Sequence, residues 1–164
     1  MINTLHSRIL AGLLAAFACC VTPTLAQDAI ALQVTLNASQ SDSMELSLED
    51  LDALEQVTFT TTTIWTDGET RFSGVPLKAV LAHLGADGGA VEMVALNDYA
   101  VTMPVEKLEE DAPIIATRMN GETMSVRDKG PYWVVFPYDR DPKYSTEVYY
   151  SLSIWQLNRL KVVD

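Results

Sequence analysis

Short β-prone runs separated by turn signals fill most of this chain, and that pattern constrains its fold more than any single residue does. The clearest case is Asn120-Gly121, which stands between two such runs, residues 114–119 and 123–126. Both central positions of a two-residue hairpin turn need positive φ, and Asn and Gly reach it at least cost. Residues 29–36 alternate apolar and polar, as a half-buried strand does, and residues 57–63 are rich in β-branched side chains. Residues 91–96 and 100–103 read as strands flanking Asn97-Asp98-Tyr99. Residues 132–136 form an apolar strand closed by Pro137, and residues 157–163 read as the last strand.

Helical signals are fewer. Ser47 and Asp50 have capping-box spacing, with Leu48, Leu51 and Leu54 on one face of a short helix. Val75-Pro76-Leu77 leads into a helix over residues 77–84, which Gly85 stops. Many short strands with two or three short helices predict a mixed α+β domain.

The first 26 residues form a separate unit. Arg8 precedes an apolar run over residues 9–21, and Thr22-Pro23-Thr24-Leu25-Ala26 ends in small residues spaced for a signal peptidase. The expectation is a secretory signal over residues 1–26, cleaved after Ala26, and one domain over residues 27–164 in the periplasm. An apolar run this short does not span a bilayer comfortably, which takes about 20 residues. An uncleaved anchor is the weaker reading. So is a lipidated Cys19, because Ala16 stands where such signals usually carry Leu.

Removing Arg8 with the signal takes the formal charge from −11 to −12. A surface so acidic repels nucleic acid and anionic lipid, so neither is expected as a partner. Both cysteines, Cys19 and Cys20, leave with the signal, as does His6. The expected mature protein has no disulfide, no thiolate nucleophile and no thiolate metal ligand. His83 alone can build neither a zinc site nor a convincing Ser-His-Asp set. Nothing in the spacing of Asp98, Asp139 and Asp141 requires a catalytic carboxylate pair.

Five segments in order carry a family resemblance: Arg71-Phe72-Ser73-Gly74-Val75-Pro76-Leu77, Ala95-Leu96-Asn97-Asp98-Tyr99, Ala116-Thr117-Arg118-Met119-Asn120-Gly121-Glu122, Gly130-Pro131-Tyr132-Trp133-Val134-Val135-Phe136-Pro137 and Ile154-Trp155-Gln156-Leu157. Together they resemble the oxidoreductase molybdopterin-binding domain of sulfite oxidase and its relatives, most of all small stand-alone exported bacterial members. The resemblance runs from about Met44 to the end. It implies the sulfite-oxidase molybdopterin-binding fold, a mixed β-sheet of barrel-like form with short helices.

The departures matter as much. Catalytic relatives bind molybdenum through a Cys ahead of the Gly-Val-Pro-Leu segment. Here that region reads Thr58-Phe59-Thr60-Thr61-Thr62-Thr63-Ile64-Trp65, and threonine does not replace a soft thiolate. An Arg that relatives carry before the Pro-terminated strand is absent at Tyr132-Trp133, and a Lys-Trp pair becomes Ile154-Trp155. Molybdopterin enzymes are usually exported folded on a twin-arginine signal, whereas this leader has one Arg. The resemblance with these departures implies a periplasmic, non-catalytic protein for a free pterin, with no covalently bound cofactor and no metal. What the resemblance further implies as a partner is the periplasmic region of a membrane enzyme of cyclic-dinucleotide signalling; the sequence itself shows no partner. The alternatives are a molybdopterin-dependent oxidoreductase, or a subunit of one, with its metal held without cysteine, and an interaction domain with a filled pocket.

A pterin offers a flat ring and an edge with two adjacent N–H donors beside a carbonyl, so a carboxylate and an aromatic face suit it. The expected ligand-binding residues are Asn97, Asp98, Tyr99, Arg118, Arg127, Trp133, Tyr138 and Trp155. Asp98 is the expected acceptor, with an Asx turn as the plainer role. Trp133 is the expected stacking face, because it sits where relatives place a pocket residue. Arg118, mid-strand among apolar neighbours, meets either a ligand oxygen or a carboxylate such as Asp98. Arg127 and Lys129 either hold an anionic tail or belong to a solvated loop. Trp65 covers the position of the lost metal ligand, and His83 is read as a surface residue.

Overall fold

The computed structural model describes residues 30–36 and 43–164. The proposed leader, its cysteines and Ala29 lie outside the described residues. Among the described residues ten strands join one sheet: β1 (Leu32–Thr35), β2 (Ser43–Leu46), β3 (Val57–Thr62), β4 (Glu69–Pro76), β5 (Ala90–Ala95), β6 (Ala100–Pro104), β7 (Ile114–Met119), β8 (Glu122–Thr123), β9 (Tyr132–Val135) and β10 (Ile154–Val163). Among the described residues three short α-helices accompany them: α1 (Leu48–Asp52), α2 (Leu77–His83) and α3 (Glu147–Ser151). The ladder runs β2-β1-β10-β9-β7-β4-β3, with β5 and β6 branching from β10 and β8 from β7. The β1–β10 pair is parallel and the other pairs are antiparallel, which makes the mixed sheet expected from sequence.

Local chemistry explains most elements. Ser47 and Asp50 form the capping box in full at α1, and Leu51 buries into the core. Asn120 and Gly121 both take positive φ in the β7–β8 hairpin. β8 is shorter than its sequence predicts. Met124 turns inward, Ser125 Oγ donates to Asp128, and residues 126–128 wind into a 3-10 turn. Two strands escape sequence reading. β4 contains Gly74 and Pro76, which argue against a strand. Yet a Cβ on Gly74 would lie 2.0 Å from the Ile115 carbonyl oxygen, so only glycine lets β4 approach β7 there. β2 has only four residues and a single buried one, too little pattern to read.

The core follows from the central strands. The first four residues of β7 and all of β9 are buried without alternation, so this part of the sheet is covered on both faces. Leu32, Phe72, Val75, Leu77, Met93, Ile114, Trp133, Phe136, Leu157 and Leu160 belong to one cluster.

β10 changes neighbours along its length. Residues 154–157 pair with β9, residues 159–161 with β1, and residues 157–163 with β5 on the opposite edge. The registers slip between Ile154 and Leu157 and again between Leu157 and Arg159. That irregular opening of β10 positions the candidate site.

Candidate functional site

Two adjoining clefts open where β10 begins. The first, about 340 Å³, is lined by Trp65, Asn97, Tyr99, Tyr150, Trp155 and Gln156, with Ala95, Ser153 and Ile154 behind them. The second, about 320 Å³, is lined by Trp65, Arg127, Lys129, Trp155 and Gln156. Trp65, Trp155 and Gln156 are common to both. The combined surface is aromatic at one end and cationic at the other, which suits a flat ring with an anionic tail. A larger hollow over β1, β2 and β10, about 550 Å³, has both its cations paired, Arg159 with Asp98 and Lys161 with Glu92.

Trp65 is the hub of the aromatic end. Its ring lies 5.6 Å from Trp155, 5.7 Å from Tyr150, 6.0 Å from Trp133 and 6.2 Å from Tyr138, each edge to face. That is the geometry the ring quadrupole favours. The loop carrying Trp65 is fixed at its base by Asp139. The Asp139 carboxylate accepts from the Thr62 backbone N–H and from the Thr61 and Thr62 hydroxyls. These bonds, led by the Thr62 backbone N–H, hold the Asp139 carboxyl below its usual range.

The cationic end is shaped by the turn before β9. Lys129 has φ of +72° and closes the 3-10 turn that bears Arg127. Gly130 follows because a Cβ there would lie 1.8 Å from the Met124 carbonyl oxygen. Lys129 Nζ sits 5.8 Å from the centre of the Trp133 ring. β10 supports this turn: the Gln156 backbone N–H donates to Lys129 O and its side-chain Nε2 to Val126 O.

The structure brings together half of the residues expected from sequence. Asn97, Tyr99 and Trp155 line the first cleft, and Arg127 lies at the cationic end. Asp98 stands between two lining residues with φ of +65°, but its carboxylate is held by Arg159. Arg118 does not meet Asp98. Its guanidinium forms a two-pronged pair with Asp52 at 2.6 and 2.7 Å and also donates to Thr117. The last residue of α1 supplies the carboxylate that reaches Arg118, so the ion-pair reading of Arg118 holds with a different partner. That hydrogen-bonded carboxylate raises the Arg118 pKa further.

Trp133 and Tyr138 lie behind the cleft. Trp133 is 0% exposed, packed between Phe72, Trp65 and Trp155, so it offers no face for a ring to stack on. Continuous burial along β9 puts it in the core, and the accessible indole is Trp155, 38% exposed. Tyr138 bonds to Ser153 Oγ at 2.6 Å, and burial pushes its phenol far up despite that bond. His83 is exposed, as expected. Tyr150 and Gln156 were missed. Tyr150 comes from α3, which has no clear helical signal. Gln156 has φ of +54°, which nothing in Trp155-Gln156-Leu157 announces.

Molybdopterin has a metal half and a pterin half, and the residues fit them differently. Thr58–Trp65, where the resemblance puts the metal-binding thiolate, supplies hydroxyls bonded to Asp139 and an indole packed among rings. That donor set does not fit a soft metal. Among the described residues no three His, Cys, Asp or Glu side chains gather as a metal site would require. The cleft fits the pterin half: aromatic walls, side-chain amides and a cationic end. The buried Trp133 Nε1 also has no hydrogen-bond partner among the described residues.

Residues 20–139 match the family described as the oxidoreductase molybdopterin binding domain, and the chain belongs to that family. Among solved structures it is similar to the sulfane dehydrogenase SoxCD from Paracoccus pantotrophus, with a TM-score of 0.62 and 20% sequence identity. The likeness covers 85% of this chain and 39% of that one, so this chain spans well under half of its length. It establishes the sulfite-oxidase fold that the sequence resemblance implied. Among curated proteins none matches.

Proposed function

We propose that this protein binds a free pterin-type ligand in the periplasm, without catalysis and without molybdenum. One observation carries the reading: two adjoining clefts share Trp65, Trp155 and Gln156 and lead from aromatic walls to Arg127 and Lys129. A flat ring lies on Trp155 and Tyr99, and an anionic substituent reaches the cations. The family supplies the chemical class, since its members are described as molybdopterin-binding. The Thr58–Trp65 segment supports the metal-free form of the reading. A reporting role towards a membrane enzyme of cyclic-dinucleotide signalling rests on the resemblance described above.

The test is native mass spectrometry of protein recovered from the periplasm after export on its own leader. A bound free pterin supports the proposal. A metal-dithiolene adduct would replace it with an oxidoreductase or a subunit of one. Bare protein that also fails to bind any pterin on titration would leave an interaction domain.

A further inference from the structure

We propose that Gln156 is the specificity-determining residue of this cleft, and that its side-chain oxygen reads the amino-bearing edge of a 2-amino-4-oxo ring. The inference rests on the pterin reading above and deepens it.

Gln156 lines both clefts, between the aromatic end and the cationic end. Its backbone has φ of +54°, a conformation that costs a non-glycine residue free energy and persists where surrounding structure enforces it. The enforcement is visible. The Gln156 N–H donates to Lys129 O at 2.9 Å, and its carbonyl accepts from Leu96 N at 2.9 Å. β10 must change partners here, and the left-handed residue makes the step. A glycine would serve that backbone equally well. The long amide therefore does something that the left-handed backbone step alone does not require.

The amide's orientation supplies one. Gln156 Nε2 lies 2.7 Å from Val126 O. A backbone carbonyl only accepts, so the nitrogen must face it and the amide cannot flip. Oε1 is then a fixed acceptor, and among the described residues no donor reaches it. The expected carboxylate acceptor, Asp98, is already engaged by Arg159. A pterin presents an exocyclic amino group that can donate to Oε1. A lumazine has the same two rings but a carbonyl in place of that amino group, so the same contact sets two oxygens against each other.

The experiment is calorimetric titration of pterin and lumazine against the full chain and two variants, Gln156→Gly and Gln156→Asn, with thermal melts of each. Both replacements tolerate positive φ, so both are expected to fold. Wild type should prefer pterin by about tenfold or more, the consequence of gaining one hydrogen bond and avoiding one repulsion. Both variants should bring that ratio to within about threefold, because neither places an acceptor at the same reach. If Gln156 only supports the Val126–Lys129 turn, both affinities fall together and the ratio stays, which overturns the assignment. Equal binding of the two rings by wild type also overturns it. Wild type that binds neither ring overturns the pterin reading itself, an outcome distinct from both.

Discussion

Two tryptophans 6.3 Å apart do different work, and burial decides which does what. Trp133 is wholly enclosed, so Trp133→Ala should cost about 3–5 kcal/mol as a core truncation. Binding lost in that variant would report damage to the fold. Trp155 is partly exposed and walls both clefts. Trp155→Ala should leave the melting temperature nearly unchanged and weaken a flat ring by about 0.5–1.5 kcal/mol beyond the area lost, roughly two- to tenfold. Titration and a thermal melt of the same preparation check both halves. Arg118 gives the contrasting case. It is committed to Asp52, so Arg118→Gln should change ligand affinity less than twofold while lowering stability by about 1 kcal/mol. A tenfold loss of affinity in a folded Arg118→Gln protein would return Arg118 to the site.

At the scale of elements, the loop after β3 depends on a clasp from the segment after β9. Asp139 ties Thr61 and Thr62, and beyond them Trp65 stands at the centre of the aromatic cluster. Asp139→Asn keeps the shape but removes the charge. Because the carboxylate is largely solvent-exposed, the loss should be about 1 kcal/mol, less than a buried charged hydrogen bond would cost. In melting temperature that is roughly 2–4 °C. The pH dependence has a definite sign. The folded carboxyl titrates below its ordinary value, so its contribution is complete above the usual carboxylate range and is lost as pH falls through the lowered folded pKa. Tryptophan emission should therefore hold steady from neutral pH down to about 4 and shift only below it. In Asp139→Asn this step should be reduced. An identical acid step in the variant would show that the clasp does not set the environment of Trp65.

For the whole molecule, composition and fold make complementary demands. A formal charge of −11 suits solubility, and an acidic surface confines anion attraction to the few cations left uncompensated. Among the described residues Lys78, Arg118, Arg140, Lys143, Arg159 and Lys161 are each paired with a carboxylate, and of the others, Arg71, Lys107, Arg127 and Lys129, only Arg127 and Lys129 stand together at one cleft. Exchanging both for Gln should weaken an anionic pterin several-fold more than a neutral one, and raised salt should do the same to wild type. Elemental analysis of protein exported on its own leader should find well under one molybdenum per chain. N-terminal sequencing of that material should begin near Gln27.

The sequence by itself determined the elements whose cause is local. The capping box at Ser47, the Asn120-Gly121 turn, the stop at Gly85 and the β-branched run before Trp65 each act over a few residues, so their signals lie within reach of a reading along the chain. The order of five segments carried the family because order along a chain needs no coordinates. Tertiary structure decided what depends on distant partners. β4 is a strand because Gly74 meets Ile115, forty-one residues away along the chain. Arg118 pairs with Asp52 rather than Asp98 because the fold brings the end of α1 within reach of Arg118 and leaves Asp98 to Arg159. Trp133 is core and Trp155 is wall because β9 is covered on both faces while β10 opens at its start. Gln156 takes a left-handed backbone where β10 passes from β9 to β1 and takes up its pairing with β5. A side chain's type limits what it can bind, but which face it shows is set by neighbours that the sequence keeps far apart.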